Sequence, residues 1–223
     1  MRAAVFYVPE DADPLARAGA SWLGRDVVTG AIVPQPSSKL ACVTATPARY
    51  GFHATLKPPM RLATDLEALA ADVAALASRL APFPLTRLEV GRMGDALVLL
   101  AAEPSVRLQE LADECVEALD RHRLPPDAAE LARRRQVSLS PLEQTMLERW
   151  GYPYVFDTWR FHITLTSALP AKVFSSRERL AAAHFAAALQ VPRKVASLAL
   201  CTEASPGAPF CLFDRFPLVG REP

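Results

Sequence analysis

Short apolar runs typical of β-strands recur along the chain, separated by stretches in which apolar residues repeat at helical spacing. The predicted strands cover residues 1–8, 50–56, 85–92, 96–102, 159–166, 195–202 and 210–219. Predicted helices begin at Asp13-Pro14, at Ser105, and at the capping boxes of residues 64–67, 140–143 and 175–178. Residues 29–47, rich in proline, serine and threonine, are predicted to form a loop.

The order strand, helix, strand, strand occurs twice, which indicates an internal duplication with two similar lobes. Residues 124–154 interrupt the pattern with a Pro-Pro pair, a basic run at 133–135 and a helix ending at Trp150. We interpret them as a helical insertion or lid. We therefore expect a single domain, with the motif strand and helix of lobe one at about 49–123 and those of lobe two at about 155–223.

One short motif is repeated at matching points of the two halves. Residues 52–56 read Phe-His-Ala-Thr-Leu, and residues 161–165 read Phe-His-Ile-Thr-Leu. Because side chains alternate along a strand, the apolar members of each motif share one face and the polar members share the other. The polar faces carry His53, Thr55 and Lys57 on one strand and Arg160, His162 and Thr164 on the other.

Two imidazoles that flank one space suit an in-line displacement at phosphorus. A neutral histidine takes a proton from the attacking group, and a protonated one gives a proton to the leaving oxygen. The hydroxyls of Thr55 and Thr164 are suited to donate to non-bridging phosphoryl oxygens, and Lys57 and Arg160 add positive charge. A single His-x-Thr is weak support for such a site, whereas two copies in matching settings are strong support.

Composition narrows the possible classes of protein. The 223 residues are 51% apolar, which predicts a packed globular chain. The net charge of +1 argues against a protein that binds long nucleic acid through many phosphates. The four cysteines include no CxxC pair and the four histidines no HExxH spacing, so we expect neither a metal site nor a cofactor. The apolar run at residues 1–8 is too short for a signal peptide or membrane span. We therefore expect a cytoplasmic protein without a membrane partner. The sequence is compatible with a monomer and leaves the oligomeric state open.

At the two His-x-Thr motifs the sequence resembles the 2H phosphoesterase superfamily. The resemblance implies an α+β, LigT-like fold, in which two pseudo-symmetric lobes with antiparallel sheets face a central cleft and the helices lie outside. It also implies phosphoester chemistry without a metal. By that match His53 and His162 are the acid and base, and Thr55 and Thr164 bind phosphate.

Two longer segments, residues 49–59 and 15–26, are similar to one branch of that superfamily, a family of bacterial phosphonate-metabolism proteins. This branch implies a cyclic phosphate of a phosphoribosyl compound as substrate. We expect Tyr50, within the first of these segments, to contact substrate together with Lys57 and Arg160.

Three functions remain open from the sequence. The first is a cyclic phosphodiesterase, a phosphoric diester hydrolase acting on a small molecule. The second is an RNA-end 2′,3′-cyclic phosphodiesterase or 2′-5′ RNA ligase, which requires a basic track with stacking aromatic residues. The third is a nucleotide- or phosphate-binding module without turnover. The sequence leaves open which histidine is the acid, and whether the reaction is hydrolysis or ligation.

Overall fold

A computed structural model of the chain describes residues 1–134 and 136–221. The strands in these ranges are β1 (Arg2–Tyr7), β2 (Ala54–Arg61), β3 (Phe83–Pro84), β4 (Leu88–Met93), β5 (Ala96–Ala101), β6 (His162–Thr164), β7 (Lys194–Val195), β8 (Ser197–Glu203) and β9 (Phe210–Pro217). The α-helices are α1 (Pro14–Leu23), α2 (Ala41–Tyr50), α3 (Leu66–Arg79), α4 (Val106–Ala118), α5 (Ala128–Arg134), α6 (Pro141–Trp150) and α7 (Ala171–Leu189).

Seven of the strands form one antiparallel sheet in the order β4-β5-β6-β2-β1-β8-β9, and β3 pairs with β7 separately. The sheet is narrowest at its centre, where β2 and β6 are joined by the residue pair Ala54–Ile163. One sub-sheet lies on each side of this junction. The first consists of β2, β1, β8 and β9, and the second of β4, β5 and β6. The expected α+β class, with antiparallel strands and packed helices, is confirmed.

The two halves of the chain exchange their hairpins. The motif strand of the first half, β2, lies in the sub-sheet completed by β8 and β9 from the second half. The motif strand of the second half, β6, pairs with β5 of the first half. Each sub-sheet therefore contains strands from both halves.

The two faces of the sheet are covered differently, as β1 shows. Its residues Ala3, Val5 and Tyr7 lie in the main hydrophobic core, which also receives side chains of α1, α3, α4 and α7. Its residues Ala4 and Phe6 lie in a smaller cluster on the opposite face. This alternation leaves the second face without the large helices, and the candidate site lies there.

Three of the predicted helix starts are confirmed and two are corrected. Asp13 caps α1, Ser105 caps α4, and Ser140 forms a reciprocal capping box at the start of α6. At the start of α3 the cap is Asp65 instead of Thr64, whose hydroxyl lies 2.6 Å from Nδ1 of His122. α7 begins after Pro170, ahead of the capping box predicted at 175–178.

The predicted loop at residues 29–47 and the predicted strand start at residue 50 are also corrected. α2 occupies Ala41–Tyr50 and contains Pro47, and the motif strand begins at Ala54. A proline inside a helix leaves the carbonyl four residues earlier without its usual donor. Here that carbonyl, of Val43, accepts from the backbone N–H of Ser167 at 2.7 Å. A contact from the second half of the chain thus satisfies the helix, and no local pattern reveals it.

Candidate active site

The two His-x-Thr motifs lie side by side at the centre of the sheet. His53 directly precedes β2, and His162 is the first residue of β6. The paired residues Ala54 and Ile163 are buried in the main core. Since side chains alternate along a strand, the residues that flank this pair point to the opposite face. The polar side chains brought together there are His53, Thr55, His162 and Thr164.

The backbone fixes both imidazoles in the same way. Nδ1 of His53 lies 2.9 Å from the carbonyl oxygen of Gly51, and Nδ1 of His162 lies 2.8 Å from that of Arg160. Because a carbonyl oxygen only accepts hydrogen bonds, each Nδ1 carries the hydrogen and each neutral Nε2 is a proton acceptor. Gly51 has a φ of 82°, a left-handed conformation that favours glycine, and it turns the chain from α2 into the motif strand.

The surroundings of the two rings lower both of their pKa values. Burial lowers the pKa of His53 to about 4 against the opposing hydrogen bond to Gly51, and positive charge on His162 lowers it further. Burial also lowers the pKa of His162, while the hydrogen bond to Arg160 opposes this. Both rings are therefore neutral in the free protein near pH 7. His53 is the more deeply buried of the two rings, so desolvation lowers its pKa more, and His162 takes up a proton first as the pH falls.

Aromatic side chains pack against the imidazole of His53. The ring centroid of Phe6 is 3.8 Å from that of His53, and Tyr50 lies 6.3 Å away. Tyr50 stacks on Phe210 at 5.3 Å. Phe6 was not among the predicted site residues, although the alternation of β1 places it on the same face as the motif. Its neighbour Tyr7 packs against Phe161 in the main core.

A cavity of about 450 Å³ opens beside the second motif. Its lining includes Thr55, His162, Arg160, Trp159, Tyr152 and Tyr154. The two tyrosines follow α6, so the insertion predicted at 124–154 forms one wall of the cavity. The indole Nε1 of Trp159 donates to the backbone carbonyl of Thr55 at 2.9 Å, which ties the two motif segments together. Trp159 was not among the predicted site residues.

Lys57 requires a correction, because the structure does not bring it to this site. Thr55 pairs with Phe6, but Lys57 pairs with Val5, so Leu56 is an extra residue that forms a β-bulge. Residues opposite each other in an antiparallel pair share a face, and the bulge therefore turns Lys57 towards the main core. Its buried ammonium donates to the carbonyl of Val116 at 2.8 Å and to Asp120 at 2.7 Å. Strand alternation without the bulge had placed Lys57 beside the imidazoles.

The other two expected substrate contacts lie near the motifs. Arg160 is exposed at the cavity next to His162, and Tyr50 lies close to His53. In the basic run, Arg134 pairs with Glu130 at 2.7 Å and lies over the ring of Tyr152. Arg135 of that run lies outside the described residues.

The remaining two histidines are held by structural contacts away from the motifs. Nε2 of His122 lies 2.7 Å from a carboxylate oxygen of Asp72, and its Nδ1 is bonded to Thr64. Nε2 of His184 lies 2.9 Å from the carbonyl oxygen of Ala18, and its ring packs against Trp22. Within the described residues, no group of three or more His, Cys, Asp or Glu side chains is placed to hold a metal ion. None of the helices in this part of the chain is long and apolar enough to cross a membrane.

The fold and the site together define an α+β protein with paired His-x-Thr motifs at the junction of two sub-sheets. The family described as "Protein of unknown function (DUF1045)" matches residues 55–211. The chain belongs to this family.

The chain is also similar to the ribose 1,5-bisphosphate phosphokinase PhnN of Janthinobacterium sp. (strain Marseille). The two are 38% identical over 232 residues, covering 99% of this chain and 51% of that protein. A PhnN from Laribacter hongkongensis (strain HLHK9) is likewise 38% identical, and 50% of it is covered. The chain thus spans about half the length of the curated relatives it matches.

Solved structures to which the chain is similar include TT0787 of Thermus thermophilus, with 17% identity, full coverage of both chains and a TM-score of 0.47. Another is E. coli LigT complexed with NADP+, with 13% identity, 98% coverage of both chains and a TM-score of 0.46.

Proposed function

We propose that the chain is a metal-independent phosphodiesterase that opens a small cyclic phosphate, with His53 and His162 as its proton-transfer groups. The observation that carries the proposal is the paired arrangement of the imidazoles. Two separate strands present them on one face, each ring is fixed by a carbonyl two residues earlier, and each has a threonine hydroxyl two residues later. General acid and base groups placed around one phosphorus atom need this kind of positioning.

The different surroundings of the two rings favour His53 as the base and His162 as the acid. The pKa of His53, lowered to about 4, keeps that ring neutral, so its Nε2 is ready to accept a proton from the attacking water. His162 protonates more readily, and a bound phosphate anion favours its charged form further. Water attacks phosphorus opposite the leaving oxygen, and His162 gives that oxygen its proton as the ring opens. The product is a phosphomonoester.

The threonines stabilise the negative charge on the phosphate group. Thr55 and Thr164 share the face of the two imidazoles, where their hydroxyls are suited to donate to the non-bridging oxygens. Oγ1 of Thr55 lies 3.3 Å from Nε2 of His53 in the free protein, so the two groups are close enough to act on the same phosphate group. These donors hold negative charge in the transition state without a metal ion.

A phosphoribosyl cyclic phosphate, formed in phosphonate catabolism, is the substrate we favour. Two considerations support it: the resemblance of residues 49–59 to the phosphonate-metabolism branch, and the name of the relatives, which refers to a ribose bisphosphate. The phosphokinase part of that name is not carried over. The sequence has no Gly-Lys pair and therefore lacks the P-loop motif that cradles nucleotide phosphates.

The aromatic lining of the cavity favours a second candidate, an RNA-end 2′,3′-cyclic phosphodiesterase or 2′-5′ ligase. Tyr152, Tyr154 and Trp159 line the space beside His162, and Arg160 adds a positive charge. Aromatic side chains stack on nucleobases, and arginine contacts the backbone phosphates.

Hydrolysis assays with chelator test the proposal. In the presence of EDTA, the wild-type chain is expected to hydrolyse ribose 1,2-cyclic phosphate 5-phosphate or adenosine 2′,3′-cyclic phosphate. His53→Ala and His162→Ala are each expected to lower kcat/KM by about 10²–10⁴-fold, because each removes one proton-transfer group. His184→Gln is the matched control, since His184 contacts the carbonyl of Ala18 away from the site.

The substrate preference then separates the candidates. A preference for the nucleotide, or joining of RNA ends, supports the second candidate. Tight phosphate binding without turnover points to a binding module and contradicts an enzyme. Full loss of activity with EDTA contradicts the metal-independent mechanism.

A further inference from the structure

The cavity beside the second motif has an aromatic wall that comes from one continuous segment, residues 152–159, directly after α6. The members of this segment that line the cavity are Tyr152, Tyr154, Thr158 and Trp159. At the far end of the wall, Trp159 is tied to the first motif by its bond to the carbonyl of Thr55. The near end begins at Gly151, the cap of α6, and a different side chain contacts it there.

Arg123, which lies between α4 and α5, makes this contact. Its Nη2 donates to the carbonyl of Arg149 in the last turn of α6 at 3.2 Å. Its guanidinium also lies against Gly151, since a Cβ at that position would come 3.0 Å from Nη1 of Arg123. Gly151 has a φ of 71°, a left-handed conformation that ends the helix and leads directly to Tyr152. The arginine therefore contacts the wall where the wall starts.

The same guanidinium is anchored to the motif strand through Asp120. Nε and Nη2 of Arg123 donate to the two carboxylate oxygens of Asp120 at 2.8 Å and 2.9 Å. The ammonium of Lys57, two residues after Thr55 on β2, donates to the same carboxylate at 2.7 Å. Burial raises the pKa of Asp120, but the hydrogen bonds from Arg123 and Lys57 lower it below its ordinary value, so the carboxylate is charged near pH 7. Two parallel bonds to a carboxylate fix the orientation of a guanidinium as well as its position.

We infer that Arg123 is a positioning residue for this cavity, which holds the start of the aromatic wall in place relative to the motif strand so that the ring of Tyr154 contacts the substrate. The inference rests on the proposed function, because it assigns how substrate binding at that site is organised. Only 14% of the Arg123 side chain is exposed, and Arg123 is not among the residues that line the cavity. Its effect therefore reaches the substrate through the wall, and it belongs to binding instead of proton transfer.

A double-mutant cycle between Arg123 and Tyr154 tests the inference. KM and kcat are measured in the wild type, Arg123→Met, Tyr154→Ala and the double variant. The substrate is ribose 1,2-cyclic phosphate 5-phosphate or adenosine 2′,3′-cyclic phosphate, whichever the wild type hydrolyses with the higher kcat/KM. Arg123→Met is expected to raise KM by about 10-fold and to leave kcat within about threefold, because it weakens binding and leaves the two histidines in place.

The double variant separates action through the wall from other effects. Tyr154→Ala is expected to raise KM as well. Adding Arg123→Met to it should raise KM further by less than about twofold, since the contact that Arg123 positions is already gone. KM increases that multiply in the double variant, or an unchanged KM in a folded Arg123 variant, overturn the inference.

Arg121→Met is the matched control, because Arg121 lies two residues earlier in the same turn and pairs with Asp72 of α3. Its KM should equal that of the wild type. If circular dichroism shows that Arg123→Met does not fold, Arg123→Lys takes its place in the cycle. An ammonium keeps the charge but lacks the planar fork that bonds Asp120 and α6 together, so KM should rise in the same direction by a smaller factor.

If the wild type hydrolyses neither cyclic phosphate, the proposed function fails, and hydrogen–deuterium exchange decides the role of Arg123 separately. The backbone amides of residues 152–158 should then exchange at least about threefold faster in the Arg123 variant than in Arg121→Met, while those of β8 exchange equally in both. Equal exchange of residues 152–158 in the two variants contradicts the inference.

Discussion

The four histidines of this chain lie in two kinds of environment, which differ in what the ring nitrogens contact. His122 and His184 each use a ring nitrogen to tie separate segments together. His53 and His162 instead bond a carbonyl of their own segment through Nδ1, which leaves Nε2 for chemistry. The packing of Phe6 against His53 adds an asymmetry between the two motif rings, which their near-identical sequences do not reveal.

This asymmetry predicts an acidic pH optimum for kcat/KM. Activity should rise with pH through about 4, because His53 must lose its proton to act as the base. It should fall again as the pH passes the pKa of His162, which burial holds below its ordinary value of about 6.5. A pH–rate profile on a cyclic phosphate checks this, and a plateau that extends above pH 8 would contradict the assigned roles.

At the scale of elements, a β-bulge decides the role of Lys57. The extra residue Leu56 turns Lys57 towards α4, where it holds the carbonyl of Val116 and the carboxylate of Asp120. Nε of Arg123 donates to the same carboxylate at 2.8 Å. This network fastens the end of α4 to the motif strand, so Lys57 supports the site through the fold.

We expect Lys57→Met to lower the free energy of unfolding by about 1–3 kcal/mol, because the half-buried carboxylate of Asp120 loses the ammonium of Lys57 but keeps Arg123. The KM of the folded variant should stay close to the wild-type value. Denaturant unfolding and steady-state kinetics measure the two effects, with the exposed Lys39→Met as control. A large rise in KM with unchanged stability would instead show that Lys57 contacts substrate.

Several local signals in the sequence were informative. The caps of α1 and α6 follow from Asp13-Pro14 and Ser140-Pro141, and the repeated motif predicted the four polar residues that the sheet junction brings together. Two of the failures depend on distant contacts. Helix α2 needs Ser167 to satisfy a carbonyl freed by Pro47, and the bulge at Leu56 is visible only once β1 and β2 are paired.

At the scale of the whole molecule, the exchange of hairpins explains how two distant motifs meet. β6 is held between β5 of the first half and β2, while β2 is held between β6 and β1. The residue pair Ala54–Ile163 joins the two strands at the junction, and the hydrogen bond from Trp159 to the carbonyl of Thr55 also ties the two motif segments. The candidate active site therefore depends on both halves of the chain folding together.

A crystal structure of the protein with tungstate, a heavy phosphate analogue located by its anomalous signal, tests the central claim most directly. The predicted result is one anion on the polar sheet face, within hydrogen-bond distance of Nε2 of both His53 and His162 and of the hydroxyls of Thr55 and Thr164. An anion that contacts one histidine alone, or that binds elsewhere while the space between the two rings stays closed, would contradict the account.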